Sequence, residues 1–465
     1  MAENNSSSGR NPTLKEAAIG MLLIILVLVI TLQIEIVLEV SLVLGVITAA
    51  LIAAYLGYSW DDIREGMLEG ISNGMIACLI LITVGMVVGA WIIGGTIQTL
   101  IYYGLQILSP GIFLPAAFIL CGITSVLIGS SFGTVATMGI VLLGIGEGLG
   151  VPTAMTVGAI VSGSVFGDKL SPLSDSTNLA SAMSGANLFD HVRSMLWITL
   201  PAAAICIVLY AILGAGQAGG AMDADQVQEI MNTLAANYNL SLLTLIPPVL
   251  VVTMAVLKVP ALITLMTSFV AASLLAIITQ GASIDSLLLA AGPGYTADTG
   301  VEIVDQLLTH GGIEMMLNTV AMVIAATAMG GILEKINVLQ SILSGLRDYV
   351  TTPKGLVLAT LASTYLVTLA SAEMYVSIIL PGRTFQPAYR DMNIEYSVLS
   401  RTLESAATLG NFVLPWGVAA LYVQGVFDIG FSYIPYAFLS FIAPIIVIIY
   451  AYKNVAMWET EQVQE

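Results

Sequence analysis

Eight polar residues crowd into one short stretch of an otherwise apolar chain: Asp168, Lys169, Ser171, Ser174, Asp175, Ser176, Thr177 and Asn178, broken by Gly167 and Pro172. A carboxylate set among hydroxyl and amide oxygens offers the hard ligands that a small cation needs once its water is stripped. Burial disfavours the ionised carboxylate and a bound cation favours it, so a cation and a proton compete for the same oxygen. Asp175, flanked by Ser174, Ser176, Thr177 and Asn178, is the leading candidate for that carboxylate. A second role for it is the N-cap of a half-helix starting near Ser176. Charged residues at membrane depth face a cavity, pair up or mark an ion path, and freed backbone there is tolerated only inside protein or beside water. The competing description of the stretch is a cytoplasmic loop.

Other residues could join this chemistry. Asp168 is a second proton carrier or the ion partner of a distant cation. Lys169 is a built-in cation, a snorkelling side chain or, the favoured reading, one half of a structural salt bridge. Arg401 and Glu404 lie three apart on one helix face. They read as an intrahelical pair, or as a guanidinium that grips a substrate carboxylate with Glu404 as its proton site. Glu373 is another candidate acid. Ser130, Ser131 and Thr134 could add ligands, although such hydroxyls often bond back to their own helix. His191 and His310 sit at expected membrane edges, where each is a pH sensor or merely interfacial. No GxxxxGK[ST], HExxH or CxxC pattern occurs, so we expect no enzyme activity, no cofactor, and no metal beyond a transported cation. The net charge of −17 excludes a nucleic-acid partner.

The elements that must position these residues are helices in a bilayer. The 465 residues are 57% hydrophobic and 9% charged, with a mean hydropathy of +0.95, against about 25% charged in a soluble chain. The first apolar run follows Arg10 and Lys15 with no small-residue cleavage site after it, which predicts a retained helix. The cysteines Cys78, Cys121 and Cys206 lie in apolar runs, which argues against disulfides. Spans are expected near 17–36, 40–58, 71–94, 194–214, 240–257, 260–279, 312–333 and 433–452. Lysines and arginines mark the cytoplasmic side. With both termini inside, every Lys and Arg, Lys258 included, falls on the cytoplasmic side except Lys169 and Arg401. The basic-free stretch 95–110 and the acidic loops 215–239 (Asp223, Asp225, Glu229) and 280–311 are then outside.

Two apolar but interrupted regions complete the architecture. A hairpin over 111–148, with its tip at 129–133, precedes a broken helix over 151–186 running inward. A hairpin over 355–381, with its tip at 370–373, precedes a broken helix over 396–427 running outward, interrupted around Ala406–Pro415. The expected fold is therefore all-α and polytopic, with about ten spans, two re-entrant hairpins and two discontinuous helices in inverted-topology repeats. Its parts are a tail 1–16, a first half 17–214, the external loop 215–239, a second half 240–452 and a tail 453–465. The site belongs where both broken helices and both tips meet.

The motif GDKLSPLSDSTNLA (167–180) resembles that of the NhaC family of sodium/proton antiporters, usually written GDKMSPLSDTTNLAPA. GSSFGTVATMGIVLLGIGEGLGVP (129–152), IYYGLQILSP (101–110) and SRTLESAATLGNFVLPWG (400–417) agree with the same family, so the resemblance spans about 70–430. It implies a prokaryotic cytoplasmic-membrane antiporter, often a homodimer, that moves sodium and protons and in some members a small organic anion, malate against lactate. The chain departs from the family in its second half. Ser405 follows Glu404 where the family has a Glu-Asp pair, Gly417-Val418 follow Pro415-Trp416 in place of Asn-Thr, and Glu373-Met374 replace Asp-Gln.

Overall fold

Helices follow one another without a strand among the described residues. In a bilayer the backbone must satisfy its own hydrogen bonds, and a helix does so within one segment. The computed structural model describes residues 9–34, 36–217, 224–257, 259–348 and 350–458. Asp223 and Lys258, used in the charge argument, lie outside the described residues, as do 1–8 and 459–465 of the two tails.

The first half comprises α1 (Leu14–Gln33), α2 (Leu38–Tyr55), α3 (Trp60–Ile93), α4 (Thr96–Ile107), α5 (Pro110–Ile128), α6 (Ser131–Thr134), α7 (Ile140–Gly148), α8 (Thr153–Leu170), α9 (Asp175–Ser184) and α10 (Leu188–Gln217). A π-helical turn, Val135–Gly139, joins α6 to α7. The second half comprises α11 (Ala224–Asn237), α12 (Ile246–Val256), α13 (Ala261–Gln280), α14 (Ile284–Ala291), α15 (Glu302–Leu308), α16 (Ile313–Lys335), α17 (Val338–Asp348), α18 (Pro353–Ser371), α19 (Met374–Asp391), α20 (Tyr396–Asn411), α21 (Val418–Phe427) and α22 (Phe438–Lys453). Among the described residues nine helices are long and apolar enough to cross a membrane, or ten if a pair bent by 101° around residues 237–242 is one span.

The order of elements occurs twice. In each half a long helix (α3, α16) and a short one (α4, α17) precede a hairpin, a broken helix and a closing helix (α10, α22). Contacts between the halves are reciprocal: α3 packs on α16, α2 on α16 as α13 on α3, and α10 on α20 as α22 on α8. Such reciprocity is what a two-fold relation produces. The α3–α16 crossing is built on small residues. A Cβ at Gly70 would lie 2.1 Å from the Thr327 carbonyl, and one at Gly331 would lie 2.1 Å from the Gly66 carbonyl. Close backbone approach of this kind is how helices associate where no hydrophobic effect drives them together. Leu22, Leu26, Ile47, Leu51, Ile263 and Ile278 stay exposed on α1, α2 and α13, as lipid-facing residues do.

Several boundaries differ from expectation. α3 begins at Trp60 rather than near 71, because Ser59 and Asp62 form a capping box that carries the helix through charged residues. The stretches expected as outer loops contain helices: α4 in 95–110, α11 in 215–239, and α14 and α15 in 280–311. The second break falls at residues 412–417, between α20 and α21, at the C-terminal end of the expected Ala406–Pro415 region and two residues past it. Small residues weaken a helical pattern in sequence, yet Ala406, Ala407 and Gly410 here let α20 pack tightly and are fully buried.

Candidate ion-binding site

Each hairpin turns by the same device. α5 ends at Gly129 with φ 69°, and Ser130 then caps α6 by accepting the Gly133 N–H. α18 ends at Ala372 with φ 57°, and Glu373 caps α19 by accepting the Val376 N–H at 2.9 Å. One left-handed residue followed by one cap folds the chain back within two positions. Both tips are buried in protein, each docked on the break of its own half. A Cβ at Gly129 would meet Leu173 at 2.7 Å, and the Ser171 hydroxyl donates to the Val126 carbonyl at 2.8 Å. In the second half Asn411 donates to the Ala372 carbonyl at 2.9 Å and accepts the Ala419 N–H at 2.6 Å. The same sequence spacing separates Gly129 from Ala372, Thr153 from Tyr396 and Asp168 from Asn411. A carboxylate in one half therefore corresponds to an amide in the other.

Asp168 is 4% exposed at the end of α8, and its Oδ2 accepts the Ser131 hydroxyl of the first tip at 2.8 Å. Ser174 caps α9, with Ser176 Oγ 3.0 Å from its own Oγ. Ser176 and Thr177 donate to Glu404 Oε1 at 2.9 and 3.1 Å, which ties the first broken helix to the second. Thr177 also reaches the Asp168 carbonyl at 3.3 Å. The other Glu404 oxygen lies 2.7 Å from His191 Nε2, and His191 Nδ1 is 2.8 Å from Ser400 Oγ. Glu404 and His191 are fully buried. The arrangement is a buried polar seam between the halves, with one carboxylate from each.

Six of the expected site residues are in or beside this seam: Asp168, Ser131, Ser174, Ser176, Thr177 and Glu404. Others are elsewhere. Asp175 is exposed at the first position of α9. The cap is Ser174, so Asp175 turns outward, where its charge suits the positive end of the helix. Asn178 is exposed and holds the break by donating to the Pro172 and Ser174 carbonyls. Thr134 bonds back to the Ser130 carbonyl, and Ser130 serves as a cap. Glu373 is buried at the second tip and spends an oxygen on the α19 backbone.

Three expectations are corrected. Lys169, fully buried, donates to Ser405 Oγ at 3.3 Å and forms no salt bridge among the described residues, because it leaves α8 on a different side from Asp168. Arg401 and Glu404 do not pair. Glu404 points to α9 and His191, whereas Arg401 donates to Ser194 Oγ at 3.3 Å and lies over the Trp458 ring, 5.2 Å from its centroid. Its Nε has no hydrogen-bond partner among the described residues. His191, expected at an edge, is instead fully buried against protein. It belongs to a buried stripe on α10 with Ser194, Met195, Ile198 and Ala202, and that helical spacing was the available sign that it faces protein.

Opposed hairpins and broken helices that bury carboxylates between two halves define a secondary transporter. The Na+/H+ antiporter family profile matches residues 10–177 and 163–455. Relatives include the malate-2H+/Na+-lactate antiporter of Bacillus subtilis, 39% identical over 89% of this chain and 88% of its own length. The Na+/H+ antiporter NhaC of Alkalihalophilus pseudofirmus is 36% identical over 88% of both chains. The arginine/ornithine antiporter ArcD of Halobacterium salinarum is 36% identical over 88% of this chain and 85% of its own. A solved structure, MtrF of Neisseria gonorrhoeae, from a class described as antimetabolite efflux pumps, is similar over 93% of this chain and 94% of its own. That likeness, at 12% identity and a TM-score of 0.42, carries no argument. This chain is a multi-pass membrane protein and belongs to the Na+/H+ antiporter family.

Proposed function

We propose that the protein exchanges sodium for protons across a prokaryotic cytoplasmic membrane by alternating access, with Asp168 as the carboxylate that binds the cation. One observation carries this reading: Asp168 sits buried at a helix break with a hydroxyl of the hairpin tip of its own half on its oxygen. Ser131 and the adjacent Ser174 are oxygen ligands that can turn to a cation when the carboxylate is ionised. Asp175, on the exposed side of the same break, attracts cations without enclosing them. Both termini lie in the cytoplasm, as the placement of Lys and Arg supports, and the working unit is a homodimer, as the family resemblance implies.

Proton flux into proteoliposomes, driven in turn by sodium, lithium, potassium, lactate and malate, tests this. Sodium should drive flux in the wild type and in Asp175→Asn, and none in Asp168→Asn. Flux in Asp168→Asn equal to wild type removes the assignment.

Exchange of a small organic anion is a second reading, favoured by Arg401, a buried guanidinium with no carboxylate partner among the described residues. Lactate- or malate-driven flux that Arg401→Gln abolishes would establish it.

A further inference from the structure

Near the end of α7, Glu147 lines a cavity of ≈ 30 Å³ together with His310, Ile140, Gly144, Met315 and Val426. That volume holds about two waters, and the carboxylate and imidazole supply the polar partners such waters need. Glu147 accepts only a long bond, 3.4 Å from Thr153, among the described residues. α7 belongs to the first half, whereas His310, α16 and α21 belong to the second, so the cavity lies between the halves as the ion site does. From Ser131 towards Glu147, along the second arm of the hairpin, two aromatic contacts intervene. Phe132 packs on Tyr422 and Phe412, with ring centroids 4.7 and 5.8 Å away, and the Tyr422 hydroxyl donates to the Phe132 carbonyl at 3.0 Å. Further along, the Phe427 ring covers Gly139: a Cβ there would lie 2.8 Å from the ring tip and 3.0 Å from Ile160. Phe412, Tyr422, Phe427 and Ile160 are buried. The π-helical turn Val135–Gly139 lies between the two contacts.

We propose that this cavity is the entry vestibule for the transported cation on its side of the membrane, with Glu147 as the first ligand, and that Phe132, Phe412, Tyr422 and Phe427 form the gate between it and Asp168, hinged at the π-helical turn. The proposal rests on the alternating-access reading above. A turn with one residue too many is where a helix bends most readily, and such turns recur at functional sites. The two halves differ here. By the spacing that relates Asp168 to Asn411, the turn corresponds to residues 378–382, which are continuous helix in α19. Phe132, Phe412, Tyr422 and Phe427 correspond to Tyr375, Lys169, Leu179 and Ser184, so no equivalent aromatic layer stands at the opposite end of the site. Asp175 and Asn178 are exposed at that end. The protein therefore stands closed on the Glu147 side. Opening that side breaks one hydrogen bond, Tyr422 to Phe132, and the ring contacts around it, and need not disturb the docking of Gly129 on Leu173. Asp428, just past α21, lies within electrostatic reach of His310 and adds to the attraction for a cation.

Single cysteines in the full chain, freed of its three native ones, test the gate whatever the cargo. The reagent is Ag+, a thiol-reactive cation small enough for the cavity, and its reaction is read as protection from alkylation after denaturation. In intact cells and in inverted vesicles, Ag+ should reach Met315→Cys, in the vestibule, from one side only. Ile160→Cys, at the barrier, should react slowly from that same side. Tyr422→Phe removes the hydrogen bond and keeps the ring, and should speed the Ile160→Cys reaction about two- to tenfold while leaving the Met315→Cys rate as it was. Phe427→Leu, which uncovers Gly139, is the second variant and should act in the same direction. No reaction at Met315→Cys from either side overturns the vestibule, and an Ile160→Cys rate that ignores both variants overturns the gate. Neither result depends on whether sodium is the ion moved, so a failure of sodium-driven flux counts against that reading alone. In protein with such flux intact, Glu147→Gln should raise the half-saturating sodium concentration on the Met315→Cys-reactive side at least about threefold, and not on the other. An unchanged value on that side overturns Glu147 as the entry ligand.

Discussion

Asp168 and Asp175 are seven positions apart in one polar stretch, yet only Asp168 is enclosed. Composition could not separate them, because the outcome depends on which residue caps α9, and that is Ser174. The oxygen-rich motif, Glu404 and Ser131 were legible as types and spacings. His191 was not, since a histidine just past an apolar run looks interfacial until the helix is known to start at Leu188. The partner of Arg401 was also illegible: two residues three apart share a face, but α20 is buried all round and its neighbours claim each side chain separately. Arg401 therefore carries a residue-scale prediction. Arg401 has no counter-ion among the described residues, and a buried charge without one costs several kcal/mol by general estimates. Arg401→Met should then unfold at an equal or higher temperature in detergent while transport slows, the pattern of a charge kept for function. A large fall in unfolding temperature would mean that the contacts with Ser194 and Trp458 stabilise more than burial costs.

At the scale of elements, the tips were readable and the breaks only partly so. GSSFG and ASAE announced two turns between apolar runs. The second break begins at residue 412, late in the expected Ala406–Pro415 region, because α20 continues to Asn411, which ties both segments to the tip. The two tips also differ in cost. Gly129 takes its left-handed φ freely, whereas Ala372 pays a Cβ penalty of roughly 1–2 kcal/mol. Ala372→Gly should raise stability by about 1 kcal/mol once the added freedom of the unfolded chain is subtracted. Gly129→Ala should lower it by more, because its Cβ would also meet Leu173 at 2.7 Å. Thermal unfolding of the two variants in detergent checks both signs, and a drop for Ala372→Gly would show that the alanine methyl is needed at the tip.

At the scale of the molecule, the repeated order of elements makes a site that neither half holds alone: Asp168 comes from the first half, Glu404 from the second, and α9 and His191 join them. The number of spans and the two hairpins followed from hydropathy, whereas the helices within the stretches expected outside did not, since short amphipathic segments resemble loops in an apolar average. In the proposed exchange, sodium and protons displace one another at this junction. Calorimetric titration of the purified protein with sodium, in buffers of different ionisation enthalpy, counts the protons released per sodium bound. The account predicts that binding releases protons near the pH at which flux turns on, and that Asp168→Asn abolishes both binding and release. Sodium binding with no proton release at any pH, or binding and release that survive in Asp168→Asn, would contradict it.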